Sequence, residues 1–532
     1  MSRALGRLPQ LLWVLLPLLV ARPQPVAGAV VMQIGQNFTG ATLGVDSLAL
    51  PPDPNGAVGP NHFVEFINGR VSIYDKTSGA RLATMTDLDF WIKAGVSMPS
   101  NLDVTDPRLI FDPASQRWFV SEVDVDANNS VSNRFLLAVS ASANPTGAWH
   151  GFAFLADPVT AYFADFPTLG LDGAGVYLSG DLFDINGNSI GPTLVAIPKS
   201  QLLSSSPTVA GRTSFGALNY ATDGAILQPA VCQGPASSSG AVLAMGDLGF
   251  DMNPHSTLVN TTIANPGSPG QATLPPPATI SVPPYVIPLD PTQPNGRSNL
   301  DDGDARLSAM VYRVGDVLYG VHSLEIDNRA AIQWFEVNAT NHTLIQSGTI
   351  KDSNLELFYP SIAANADGVV VVACNGCSLT TYVGCYAAVG ETVNGTLSFG
   401  GLQLLKAGVA NYQNRDATGT SRWGDYSTTS VDPTDPYRFW TIQMYAAGSS
   451  TWATQISELI LSPVTVGIEL VGSDVVITWP SAATGFQLQW APTLGPTATW
   501  SPVSQTPTTS GNQLSLTIPA SDQQAYFRLA HP

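Results

Sequence analysis

The sequence predicts an all-β fold, a seven-bladed β-propeller (six blades as the alternative) followed by a small β-sandwich. Three observations carry this. Short apolar strands such as "HFVEFIN", "RWFVSEV", "GVYLSGDLF", "VLYGVHSLEI", "GVVVVAC" and "RFWTIQMYA" recur between Gly, Asn and Asp turns, and long amphipathic helices are hard to find. An opening phrase precedes many of these strands and repeats along the chain. Only 12% of residues are charged, while Gly (48) and Pro (41) are plentiful, as suits many strands joined by many turns.

The chain has 532 residues, more than one ordinary core organises, so separate domains are expected. Residues 1–29 read as a secretory signal. Arg3 and Arg7 are its basic start, Leu11 to Ala21 its apolar run, and "VAGA" its small-residue end. The apolar run is too short to span a bilayer. The expected setting is secreted or extracellular, with the periplasm as the alternative. Cleavage removes three Arg and no acid, taking the formal charge from -18 to -21. Such a chain suits neither nucleic acid nor membrane insertion. It is expected to be a monomer.

Residues 30–462 hold the repeated phrases: "DPNGAVGPN" (53–61), "TDPRLIFD" (105–112), "ADFPTLGLD" (164–172), "LQPAVCQG" (227–234), "GDARLSAMV" (303–311), "YPSIAANAD" (359–367) and "WGDYSTTSVD" (423–432). Later repeats follow at roughly 55 to 80 residues, room for one four-stranded sheet each. "FDPASQRWF" and "VDPTDPYRFW" share an Asp-Pro turn in which the Asp side chain accepts backbone N–H bonds, so Asp112 and Asp432 read as structural. Residues 250–303 read as a Pro-rich insertion that either covers one face or forms a surface loop.

In a radial fold the opening phrases converge on one mouth of a central funnel. The candidate catalytic groups there are Asp106, Asp165, Asp304, Asp425 and Tyr426. The candidate ligand-binding groups are Arg108, Arg306, Arg422, Trp423 and Tyr359. Paired carboxylates suit acid/base work on a glycan, and Arg clamps suit an acidic sugar. The competing reading pairs the same groups between blades to satisfy strand ends. Asp124, Asp126 and Asn128 place hard oxygen ligands at alternate positions, the pattern of a weak Ca²⁺ loop; no motif requires a cofactor. Cys374, Cys377 and Cys385 lie in one predicted hairpin, where a Cys374–Cys385 or Cys377–Cys385 disulfide is expected in an oxidising compartment.

Four phrases, "DPNGAVGPNHFVEFIN", "DPRLIFDPASQRWFV", "DFPTLGLDGAGVYLS" and "RWGDYSTTSVDPTDPYRFW", resemble a family of exported bacterial β-propellers of largely unassigned function. The resemblance spans roughly residues 50–460 and implies the fold, with no catalytic residues to carry over. Residues 463–532 resemble the fibronectin-III-like tail of exported bacterial proteins, in "WP", "ATGFQLQ" and the final "FRL". This implies attachment or spacing. The functional expectation is binding of an extracellular glycan or protein at the funnel. The alternatives are a sialidase-like glycan hydrolase and a structural surface protein.

Overall fold

The computed structural model describes residues 30–126, 132–232, 239–296, 299–415, 419, 421–464, 466–481, 483, 486–495, 498–511, 513–520 and 525–530. The predicted signal, 1–29, lies outside them. The chain is nearly all-β and divides into two compact units, Val30–Ser462 and a second whose described part begins at Pro463. No helix among the described residues is long and apolar enough to cross a membrane.

The larger unit is a succession of antiparallel meanders. The first sheet runs Asn55–Val58, His62–Ile67, Arg70–Asp75, Arg81–Met85, and the second Leu102–Asp112, Arg117–Asp126, Arg134–Ser140, Trp149–Leu155. The third is Phe163–Leu171, Gly175–Phe183, Ser189–Pro198, Thr213–Ala217, and the fourth Ala225–Pro229, Gly240–Met245, His255–Ile263, Ala278–Tyr285. The fifth is Tyr312–Val314, Val317–Ile326, Arg329–Asn338, Thr343–Ile350. The sixth opens with Glu356–Ala364, Val369–Cys377 and Gly384–Val393. The last holds Thr428–Val431, Arg438–Gly448 and Thr451–Pro463, and takes Val30–Thr42 as its outer strand. The first strands of the first four sheets pack in succession from Asn55–Val58 to Ala225–Pro229. Val231–Cys232 then pairs in parallel with both Phe163–Leu171 and Tyr312–Val314, joining the third and fifth sheets into one. The first strands from Tyr312–Val314 to Thr428–Val431 lead back to Asn55–Val58 in a closed cycle. The outer strand Val30–Thr42 thus ties one end of this unit to the other.

Most strands bury both faces, which explains their continuous apolar runs. Trp118 and Leu136 pack with Phe66 and Trp91 of the preceding sheet region, while their neighbours Phe119 and Leu137 pack with Leu169, Leu178 and Val195 of the next. The Asp-Pro turns are structural, as their chemistry predicts. Asp112 accepts the N–H of Ser115 at 3.0 Å and Asp432 that of Thr434 at 2.9 Å. Each also meets a lysine from the following sheet around the ring: Lys199 at 2.7 Å and Lys76 at 3.0 Å.

Two expectations change here. The Pro-rich segment is not a separate insertion, because His255–Ile263 and Ala278–Tyr285 complete the fourth sheet. Pro283 and Pro284 sit in its outermost strand, where a missing N–H breaks no ladder bond. The phrase 303–311 has no regular structure, and the fifth sheet begins at Tyr312.

The disulfide expectation is also corrected: all four cysteines are buried, and no disulfide joins Cys374, Cys377 and Cys385. Cys374 stands opposite Tyr386 and Cys385 opposite Asn375. Side chains alternate faces along a strand, so Cys374 and Cys385 point to opposite sides of the sheet. Cys377 shares the face of Cys385 but lies diagonally, at a spacing of about 7–8 Å between backbones, too wide for a relaxed bridge. Thiol titration will therefore find the native protein almost unreactive and four thiols after denaturation without reductant. Two or fewer in the denatured chain would establish a disulfide and overturn the assignment.

The second unit contains two antiparallel sheets. One is Gly467–Val471, Asp474–Pro480, Gln513–Pro519 and Thr508–Ser510; the other is Ser501–Pro502, Gln487–Ala491 and Tyr526–Ala530. Ile477, Trp479, Leu488, Leu516 and Leu529 are its buried residues of largest apolar bulk.

Candidate functional site

The site grows from a break repeated in the first strands. Pairing with the second strand slips between Thr105 and Arg108, Asp165 and Thr168, Ala225 and Gln228, and Phe358 and Ser361. Inside each slip stands one left-handed residue: Asp106 (φ 63°), Phe166 (φ 49°), Ile226 (φ 52°) and Tyr359 (φ 43°). Asp53 (φ 48°) does the same just ahead of the first sheet. In all but the Ile226 case the next residue is Pro, which has no N–H to leave unpaired at the broken rung. A non-glycine residue in this region costs on the order of 1–3 kcal/mol and persists only where the surroundings impose it. Such bulges re-aim the side chains beside them, and these are the residues of the opening phrases.

Arg108 is fully buried and bolts these phrases together. Its Nε donates to Pro167 O at 2.9 Å and its Nη1 to Ser308 O at 3.1 Å. Its guanidinium carbon lies 3.5 Å from the centre of the Tyr426 ring, an intimate cation–π contact. Tyr426 in turn donates to Pro107 O at 3.0 Å. One side chain thereby joins the second, third and last sheets to the segment before the fifth. Burial pushes the guanidinium below its ordinary pKa, and Asp106, Asp53 and Asp425 counteract that shift.

Around the bolt the carboxylates are held, not free. Asp53 accepts from Asp425 N at 2.9 Å and Asn68 Nδ2 at 2.8 Å. Asn68 Oδ1 accepts Asp106 N at 2.8 Å, and Thr105 donates to the Asp106 carboxyl at 2.9 Å. Burial, reinforced by the charge of Asp425, raises Asp53 to about 7. Burial raises Asp106 well above the usual carboxylate range, with the charges of Asp53, Asp165 and Asp425 adding to it. Arg422 joins Asp425 and, at 3.1 Å, Asp301. Arg306 grips Asp304 with both ends of its fork, Nε to Oδ1 at 2.7 Å.

Two clefts open at this mouth, and Arg306 lines both. The smaller, about 130 Å³, is polar, with Asp301, Asp302, Asp304, Tyr359, Arg422 and Asp425 in its wall. The larger, about 430 Å³, is walled by Phe166, Phe183, Leu248 and Phe250 and carries Asp165, Asp181 and Tyr220. Asp165 and Asp181 are direct cross-strand partners in the third sheet. Residues so placed have Cβ atoms roughly 4.5–5.5 Å apart. Ser189 donates to the Tyr220 hydroxyl at 2.6 Å, and Tyr220 donates to Asp181 Oδ2 at 2.8 Å. Burial lifts Asp181 to about 6, against the pull of the Tyr220 hydrogen bond and the Arg306 charge. Burial also raises Asp165, and the Phe166 N–H that donates to it at 2.9 Å partly offsets this.

The residues singled out from sequence separate into two groups. Asp165, Asp304, Arg306, Tyr359, Arg422 and Asp425 reach the clefts. Asp106, Arg108, Trp423 and Tyr426 lie beneath them. Arg108 and Trp423 are thus corrected from ligand contacts to interior supports, and Tyr426 from candidate nucleophile to the ring under Arg108. Trp423 is packed edge-on against Tyr412 and donates to Asn375 Oδ1 at 2.9 Å. In the segment of the expected calcium loop, both Asp124 oxygens accept hydrogen bonds from Arg134. Asn128 lies outside the described residues, and no group of three metal-ligating side chains is placed to hold an ion among those described. Sequence reasoning missed Asp181, Tyr220, Phe183 and Phe250. The one signal available was the Asp that interrupts the apolar run in "GVYLSGDLF".

No family model matches the chain, and no curated protein matches it. Among solved structures it is similar to Drosophila Semaphorin 2a, at 7% identity over 90% of this chain and 96% of that one, with a TM-score of 0.39. It is similar to the Dos1 propeller at 7% identity, over 75% of each chain, with a TM-score of 0.36. A protein of unknown function from Dyadobacter fermentans is similar at 11% identity, over 69% of this chain and 97% of that one, with a TM-score of 0.36. Propellers thus stand among the structural neighbours, and at these scores the likenesses carry no argument about activity.

Proposed function

We propose that the Val30–Ser462 unit is a seven-bladed β-propeller of an exported protein, followed in sequence by a fibronectin-III-like β-sandwich. We further propose that it binds an extracellular glycan, not on the funnel axis but in the cleft between its third and fourth blades. The closed cycle of first strands supports the architecture. The observation that carries the ligand reading is the cleft of about 430 Å³, whose wall holds the ring of Phe250, 69% exposed, together with three carboxyls and two hydroxyls. A pocket of mainly apolar lining with a few convergent polar groups is the ordinary form of a small-ligand site. Aromatic faces suit the C–H faces of sugar rings, and carboxyls accept from their hydroxyls. Arg108, fully buried, lines neither cleft.

One observation favours the hydrolase alternative. Asp165 and Asp181 are adjacent carboxyls, and burial raises Asp181 to about 6, toward the range in which a general acid works. The deciding experiment is a glycan array together with a panel of fluorogenic glycosides, run on wild type, Asp425→Asn, Asp181→Asn and Phe250→Ala. The expected result is binding without turnover, weakened at least about tenfold by Phe250→Ala. Turnover that disappears in Asp181→Asn would replace binding with hydrolysis. Absence of both binding and turnover in wild type would sink the glycan reading.

A further inference from the structure

Resting on the glycan reading, we propose that the larger cleft takes a hexosamine unit whose amine is free and protonated. Three carboxyls line it: Asp165, Asp181 and Asp247. Its described lining contains one cation, Arg306, and that guanidinium is already committed to Asp304 and lies over the Phe166 ring at 4.5 Å. The cleft therefore has acceptors in excess of positive charge. Asp181 is only 5% exposed, Tyr220 donates to its Oδ2, and its Oδ1 accepts no hydrogen bond of normal geometry, although the Ile226 N–H lies close enough to lower its pKa. A buried carboxyl oxygen of this kind is costly unless a donor meets it.

An ammonium group answers both features. It brings the missing charge and up to three donors, and it is attracted to aromatic faces. The rest of the ligand then meets Asp165 and Asp247, each of which already accepts one backbone N–H, and the Ser189 and Tyr220 hydroxyls, while covering Phe183 and Phe250. A sugar ring suits this wall because it offers further hydroxyl donors around its edge and C–H bonds on its faces. A lysine side chain ends in one ammonium on a methylene stem and brings no such second set of donors. An acidic sugar would meet like charge, in a chain whose formal charge is -18. An N-acetylated sugar loses the cation and adds bulk where the carboxyls lie.

The test is calorimetric titration of the full chain at neutral pH with glucosamine oligomers, N-acetylglucosamine oligomers, cello-oligomers and oligolysine. The glucosamine oligomer is expected to bind about tenfold to a hundredfold more tightly than the acetylated and neutral chains, the usual range for a charge-assisted hydrogen bond. That preference should shrink in Asp181→Asn, with melting curves confirming that the variant folds. The wild-type ligand series decides the matter even if it does not fold. Equal binding of acetylated or neutral oligomers overturns the amine assignment and leaves the glycan reading intact. Binding by no oligosaccharide overturns both. Oligolysine binding as tightly as the amino sugar gives the cleft to a basic peptide and overturns the proposal.

Discussion

Arg108→Met will destabilise the chain by roughly 2–4 kcal/mol, and Arg108→Ala by about 3–5 kcal/mol. The reason lies in what the side chain leaves behind. Among the described residues Arg108 makes no close ion pair; its Nε and Nη1 donate to two buried carbonyls, Pro167 O and Ser308 O, on different segments of the ring, and its Nη2 has no hydrogen-bond partner there. Met fills the volume but donates to neither. Each unpaired buried carbonyl costs about 1–3 kcal/mol. Ala adds a cavity beneath the Tyr426 ring, which Arg108 now covers at 3.5 Å. Both variants also remove a positive charge that interacts with Asp106, Asp53 and Asp425, so those carboxyls should shift further upward. Urea midpoints of wild type and the two variants measure the effect. A Met variant as stable as wild type would show that the guanidinium is dispensable, as some buried ion pairs are, and that ring closure does not depend on it.

Second strands such as "RWFVSEV" and "GVVVVAC" were legible in the sequence because both faces are buried, so apolar residues stand side by side instead of alternating with polar ones. The opening phrases were legible because a left-handed residue followed by Pro recurs at the bulge. Convergence of those phrases on one mouth followed from radial geometry, and Asp165, Arg306 and Asp425 do meet there. Depth within that mouth was not legible. Arg108 and Arg306 read identically in "DPR" and "DAR", yet one is sealed under Tyr426 and the other lines both clefts. Asp181 escaped notice because its partner Asp165 is set by strand register, which no local pattern reports. The strand Val30–Thr42 could not be paired in advance either, since its partner Thr451–Pro463 lies at the far end of the unit. The cysteines failed for a related reason: spacing suggested a bridge, whereas the parity of residues 374 and 385 in the register forbids it.

Acidification from about pH 7.5 to about pH 4.5 will stabilise the protein, contrary to the usual behaviour of an acidic chain rich in paired carboxylates. Asp53 is raised from 3.8 to about 7, and Asp87 and Asp181 from 3.8 to about 6, with burial the leading cause in each. Between the unfolded and folded values the native state holds protons that the unfolded chain has released. Their stabilising contribution is complete below about 3.8 and disappears as pH rises through 6 to 7. His322 acts in the opposite direction. It is buried between Ala305 O at 3.0 Å and Gln333 Oε1 at 2.9 Å, and burial lowers it from 6.5 to about 4. Its contribution is present above 6.5 and is lost as pH falls toward 4. At about 1.4 kcal/mol per unit, Asp53 alone offers on the order of 4 kcal/mol against roughly 3 for His322. Asp87 and Asp181 add to the side of Asp53, and the raised Asp106, Glu122 and Asp302 point the same way. The lowered carboxylates Asp75, Asp184 and Asp251 sit in solvent-facing turns, where screening leaves them little weight. Melting temperature should therefore peak near pH 5 and decline toward pH 8, and Asp53→Asn, which mimics the protonated acid, should flatten that decline. A melting temperature that climbs steadily from pH 5 to pH 8 would mean that these carboxyls are already ionised in the folded state at pH 5.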